Sequence, residues 1–185
     1  TWDDTGLPNA ALPYVIDPNY SPAGTDDGYI YGQNIVCATA QTLSVATNTT
    51  ATLNYVGQYI SGASYLPILA YLDFDTSGIP DTDVISQVNL YGYFESETVG
   101  SYNFTVRVND FAWTTPLGTD QEANYDGCRA ATYDGQWLDT ATATYGQYIA
   151  SANLSTSWVV KTGTTRYCAI SSRHLAGSCP DGGNP

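Results

Sequence analysis

The sequence predicts an all-β fold, an antiparallel β-sandwich or jelly roll with an N-terminal extended arm, and three observations predict it. The first is the block Leu66–Phe94, LPILAYLDFDTSGIPDTDVISQVNLYGYF. An apolar run passes through a polar turn into a strictly alternating segment. Val84, Ser86, Val88, Leu90 and Phe94 fall on one face, and Ile85, Gln87, Asn89, Tyr91 and Tyr93 on the other. A period of two with one apolar face describes a strand packed on a core. The second observation is spacing: short apolar segments recur every 8–12 residues or so, separated by Gly, Asn and Asp. The third is the scarcity of helical periodicity, which allows a turn or two near 124–131 or 138–145 and little else.

Taken in order, residues 1–28 stand apart as an arm or linker, and 29–185 form the sandwich domain. The arm holds four of the nine prolines. Its one strand-like stretch, residues 10–17, puts Leu12, Tyr14 and Ile16 on one face, but Pro13 and Pro18 cannot donate to a ladder, so this is an edge strand, a linker or a detachable strand. Strands are expected over Tyr29–Thr39, Gln41–Thr47, Thr50–Tyr59, Leu66–Asp75, Val84–Glu95, Tyr102–Asn109, Gln147–Ile149, Trp158–Lys161 and Arg166–Ser171. The link between the fourth and fifth, Asp75 to Asp81, contains Asp, Ser, Gly and Pro, each a turn former for its own steric or hydrogen-bonding reason.

Composition narrows the function classes. Eighteen acidic residues against five basic ones give a net charge of −13. Such a surface lacks the clustered Lys and Arg that phosphate binding needs, so nucleic acid and anionic membranes are excluded as expected partners. No stretch reaches the roughly 18 apolar residues of a membrane span. The single Lys161, the absence of Met and the polar start TWDDTG fit a mature, exported chain whose signal has been removed. Export also suits the four cysteines, Cys37, Cys128, Cys168 and Cys179. None forms a Cys-x-x-Cys pair and there is one His, so two disulfides are expected rather than zinc. Four cysteines allow three connectivities; the pairing adopted is Cys37–Cys128 with Cys168–Cys179.

The YLDFDTSGIPDTDVISQVNLYGY block resembles the FDTS-x-IP core of the DNRLRE-type domains. A second block, Thr164–Pro180, is similar to that family's T-x-F-x-L-R-S-S-R-D-I-x-G-T-x-P segment, and VNDFAWTTPLGTDQ falls where the family carries a comparable loop. The resemblance covers about residues 29–180. It implies a secreted jelly-roll module, related to carbohydrate-binding modules and found in large surface and fibre proteins. His174 stands where an Asp is usual, and Cys179 replaces a small residue. In the family that segment leads into a further strand, whereas here the sequence ends at Pro185. The resemblance therefore implies a sandwich one strand short, with an apolar groove and unpaired edges. Leu12, Tyr14 and Ile16 are the expected donor strand, filling that groove in a neighbouring copy. Head-to-tail filling does not close and propagates as a homopolymer. Residues 10–17 pairing within their own domain is the alternative.

Four N-x-S/T sequons mark Asn19, Asn48, Asn103 and Asn153 as expected sites of covalent glycans. Asn103 falls on the polar face of its strand, Asn48 in a Thr-rich turn and Asn153 in a polar loop. Asn19, between Pro18 and Ser21-Pro22, is the weakest acceptor. Asp26, Asp27, Asp73 and Asp75 place hard oxygens near turns, which suits a structural Ca²⁺, although no EF-hand pattern is present. Catalysis is not expected. His174 is the only imidazole, and the acid–base option left by the Asp73/Asp75 pair lies in a segment read as structural. The competing role is carbohydrate binding, with Trp113 and Trp137, flanked by polar residues, as stacking platforms. The favoured reading is an extracellular structural protein.

Overall fold

The computed structural model describes residues 26–49, 53–95 and 102–180. The chain forms β1 (Gly28–Gly32), α1 (Cys37–Ala40), β2 (Ser44–Asn48), β3 (Gly57–Ser61), β4 (Ser64–Asp75), β5 (Tyr91–Phe94), β6 (Thr105–Asn109), α2 (Gln121–Ala130), β7 (Gly135–Asp139), β8 (Gln147–Ala150), β9 (Thr164–Ser171) and α3 (Ser172–Leu175). It is an antiparallel β-sandwich of uneven layers. Seven strands form the large sheet in the order β2-β1-β4-β9-β6-β7, with β3 also paired to β4. β5 and β8 pair alone in the second sheet.

The centre of the large sheet follows from the sequence of β4. Its near-continuous apolar run is what a strand buried on both faces requires. Leu69 and Tyr71 point to one side, Ala70 and Leu72 to the other. β9 lies against it with Ala70 opposite Ala169 and Leu72 opposite Tyr167. On the first side, Ile30, Leu69, Tyr71, Cys168 and Ile170 pack under Tyr125 and Cys128 of α2 and under Trp113, Leu117 and Tyr133. On the second, Ala70, Leu72, Val106, Val108, Tyr167 and Ala169 pack beneath Leu90, Leu154 and the β5–β8 pair. Burying these apolar side chains contributes about 1.5–3 kcal/mol each.

The two covers differ in quality. The helical side is closed, with Phe111 and Ala131 as the partly buried apolar residues packed against it. The other side has a longer partly buried rim, including Val56, Val88, Phe94, Phe104, Trp137 and Trp158.

Several expected elements are corrected. The first strand stops at Gly32, because its backbone lies so close to the Ala40 and Leu43 carbonyls that a Cβ would sit 2.0 and 2.6 Å from them. The Asn34 side chain then accepts from Val36 N at 2.9 Å and turns the chain toward α1. Trp158–Lys161 is not a strand. Ser155 Oγ accepts from Ser157 N and starts a 3-10 turn at Thr156–Trp158. Helix forms at Gln121–Ala130, while 138–145 supplies the end of β7 and a turn.

The expected disulfide pairing is overturned. Cys37 bonds to Cys179, across 142 residues, whereas Cys128 and Cys168 are buried thiols. The reason is topological: α1 and the segment after α3 meet at one end of the large sheet. Gln41 and Gln58 both donate to the Ser178 carbonyl there, at 3.0 and 2.8 Å.

Candidate functional site

The second sheet carries the most exposed aromatic surface of the described residues. Leu90 just before β5, and Gly92 and Phe94 within it, turn inward, which leaves Tyr91 and Tyr93 outside, 66% and 55% exposed. β8 brings Tyr148 opposite Tyr93, and it is 72% exposed. The two rings meet edge-on, with centroids 5.4 Å apart. Beneath them Trp137 packs edge-on against Phe94 at 5.2 Å and donates to the Ile149 carbonyl at 3.1 Å. Gly92 permits this, since a Cβ there would lie 2.5 Å from the Trp137 ring. An open depression alongside is lined by Trp137, Asp139, Thr142, Tyr148 and Ile149.

β5 has β8 as its strand partner and no second strand beyond it among the described residues. β8, in contrast, leans on β7, where Ala152 N donates to the Gln136 carbonyl at 2.9 Å. The pairing of the small sheet extends through Val88 opposite Leu154. The result is a short strand with apolar side chains inward, tyrosines outward and one edge unmatched among the described residues.

Trp113 and Trp137 are not the exposed platforms expected of them. Trp113 is 3% exposed, stacks edge-on with Tyr71 at 5.2 Å and donates to the Asp26 carbonyl at 3.3 Å. Trp137 is half-buried under β5 and β8. The exposed rings are the tyrosines, and the alternation of Val84–Phe94 already placed Tyr91 and Tyr93 on the face away from the core.

The four aspartates named for calcium do not assemble into a ligand set. Asp73 Oδ2 accepts from Arg166 Nε at 2.8 Å, so a guanidinium already occupies its charge. Asp27 accepts from the Asp73 backbone N–H. Burial dominates this group and pushes its carboxyl up to about 6, against the lowering effect of that hydrogen bond; the charges of Asp73 and Asp26 push it up further. Asp75 starts the expected turn, accepting from Ser77 Oγ at 2.6 Å and Ser77 N at 3.0 Å, which holds its carboxyl below the ordinary value. Among the described residues no cluster of three or more His, Cys, Asp or Glu has metal-binding geometry. Of the Asp73/Asp75 pair, one carboxylate is thus engaged by Arg166 and the other by its own turn.

The sequons differ in accessibility. Asn103 is exposed just before β6. Asn153 is exposed too, with Oδ1 accepting from Gln87 Nε2 at 3.1 Å and Asn89 Nδ2 at 3.2 Å. Asn48 ends β2 rather than standing in a turn, and its Nδ2 donates to the Tyr29 hydroxyl at 3.0 Å. Asn19 and the arm residues Leu12, Tyr14 and Ile16 lie outside the described residues. His174 is buried, its Nε2 donating to the Gln41 carbonyl at 3.1 Å. No model of a known protein family, no curated protein and no solved structure matches this chain.

Proposed function

We propose that this chain is a structural subunit of an extracellular filament or surface fibre, which assembles when residues 10–17 of one copy insert into the next. The observation that carries the reading is the thin cover of the second face: a two-stranded sheet over a seven-stranded one, with a partly buried apolar rim. A strand laid along β5 would match its open edge with main-chain hydrogen bonds. The apolar face of that strand, Leu12, Tyr14 and Ile16, would extend the cover over the rim. Two of the expected glycan sites, Asn103 and Asn153, are exposed, which is consistent with carrying glycans in this role. A Cys37–Cys179 disulfide suits an oxidising, extracellular location. DNRLRE-type domains, which the sequence resembles, occur in surface and fibre proteins, in line with this role.

The test is negative-stain electron microscopy and sedimentation of the purified chain, with a variant lacking residues 1–18. Long particles are expected from the full chain, and monomers or amorphous aggregates from the deletion. Normal polymerisation without residues 1–18 would exclude the arm. A full chain that sediments as a well-behaved monomer would indicate that the arm pairs within its own domain.

A second reading is favoured by one observation, the strip formed by Tyr91, Tyr93 and Tyr148. Flat exposed rings beside an open depression with Asp139 and Thr142 suit stacking of pyranose rings in a carbohydrate-binding module. Slowed migration in polysaccharide-containing gels, lost on Tyr148→Ala, would support it over assembly.

A further inference from the structure

We propose that Cys128 and Cys168 close a second disulfide that clamps α2 to the central strand β9. Both side chains are fully buried and face each other across the helical side of the core. One hydroxyl touches both: Tyr133 Oη lies 2.8 Å from Cys128 Sγ and 3.0 Å from Cys168 Sγ. Both cysteines belong to the same buried cluster as Tyr133, which bridges them. With Cys37 and Cys179 already bonded, each of these sulfurs has the other as its remaining cysteine partner.

The surroundings tolerate the loss of both thiol hydrogens. Tyr133 donates its own proton to the Cys128 carbonyl at 2.7 Å and needs neither sulfur as acceptor. Asn109 Oδ1, which accepts from Cys168 Sγ at 3.0 Å, also accepts from Phe111 N at 3.0 Å. Oxidation therefore leaves no buried polar group without a partner in this cluster.

The closed fold cannot carry out the exchange by itself. Burial, with the Cys128 thiol beside it, pushes the Cys168 thiol well up, and the thiolate is the form that attacks. The bond must form before α2 seats on the sheet. The oxidant is a low-molecular-weight disulfide such as oxidised glutathione. One cysteine thiolate attacks it and releases one glutathione thiol, leaving a mixed disulfide. The second cysteine thiolate attacks the protein sulfur of that bond and expels the other glutathione. Two electrons and two protons pass from the cysteine pair to the glutathione pair.

The proposal is tested on the wild-type chain, reduced, unfolded and refolded with reduced and oxidised glutathione. The product is alkylated under denaturing conditions and digested with trypsin without reduction. Cleavage after Arg107, Arg129, Lys161, Arg166 and Arg173 places each cysteine on its own peptide: 1–107, 108–129, 167–173 and 174–185. The expected linkages are 108–129 with 167–173, and 1–107 with 174–185. Alkylated Cys128 and Cys168 beside a closed Cys37–Cys179 bond would overturn the proposal, as would crossed linkages. The result is independent of filament assembly, since a monomer with this linkage would contradict only the assembly reading.

Discussion

His174 is the only imidazole in the chain, so its protonation can be followed without interference. It is buried beside Tyr125, with Nε2 donating to Gln41 and Nδ1 buried without a partner among the described residues. Burial pushes its pKa from 6.5 down to about 4; the Gln41 hydrogen bond opposes this, and the positive charge of Arg129 adds to it. The sign follows from which state binds the proton first. The unfolded imidazole, near 6.5, takes it up before the folded one does. Stability is thus fully present above 6.5 and is lost as pH falls through the window toward 4. The whole distance is worth about 3 kcal/mol, at about 1.36 kcal/mol for each tenfold in proton affinity. Urea unfolding of wild type and His174→Gln should therefore converge as pH falls toward 4, the variant keeping the neutral donor to Gln41 and losing the titration. Asp27, raised to about 6, pulls the other way and is present in both proteins, so the difference between them isolates His174. Parallel pH profiles would refute the argument, as would an NMR titration of the sole imidazole with a midpoint near 6.5.

Three further outcomes are expected. Gly127→Ala should destabilise by about 1–3 kcal/mol although Ala is the better helix former, because the new Cβ would lie 2.3 Å from the Phe111 ring; a raised Tm would contradict this. Removing the Cys37–Cys179 bond by a double Ser substitution should cost up to about 5 kcal/mol in guanidinium unfolding, given the 142-residue separation, and a loss under about 1 kcal/mol would show the loop-entropy argument to be wrong. Arg166→Leu should cost about 3–5 kcal/mol by stranding the Asp73 carboxylate, and adding Asp73→Leu should restore much of it; if the double variant is worse than the single, the pair matters for more than charge.

Much of the fold was legible in residues 64–109. The unbroken apolar run of β4 and the pattern in β6 form strands, and the Asp75 turn forms as its residues require. Of the strand expected over Val84–Glu95, however, only Tyr91–Phe94 forms, and Val84, read as core-facing, is 91% exposed. α2 was harder to read because part of its buried face is polar. Asn124 is buried there, donating to the Thr114 and Leu117 carbonyls and accepting from Thr114 N, so the helix has no continuous apolar stripe. Trp113 misled for a related reason: its polar neighbours suggested a surface loop, yet the ring lies under that loop against Tyr71. The cysteine pairing depends on which distant segments meet, and local sequence does not carry that information. The exposed tyrosines were visible in the alternation, but their number elsewhere in the chain drew attention to the rarer tryptophans.

The position of β9 sets when the molecule can fold. It lies between β4 and β6, with Ala169 opposite both Ala70 and Val108. The middle of the large sheet therefore stays unfilled until a segment about a hundred residues downstream of β4 arrives. Such high contact order makes for slow folding. A nascent chain of this kind cannot complete its central sheet until β9 has emerged, so β4 and β6 wait for the strand that joins them.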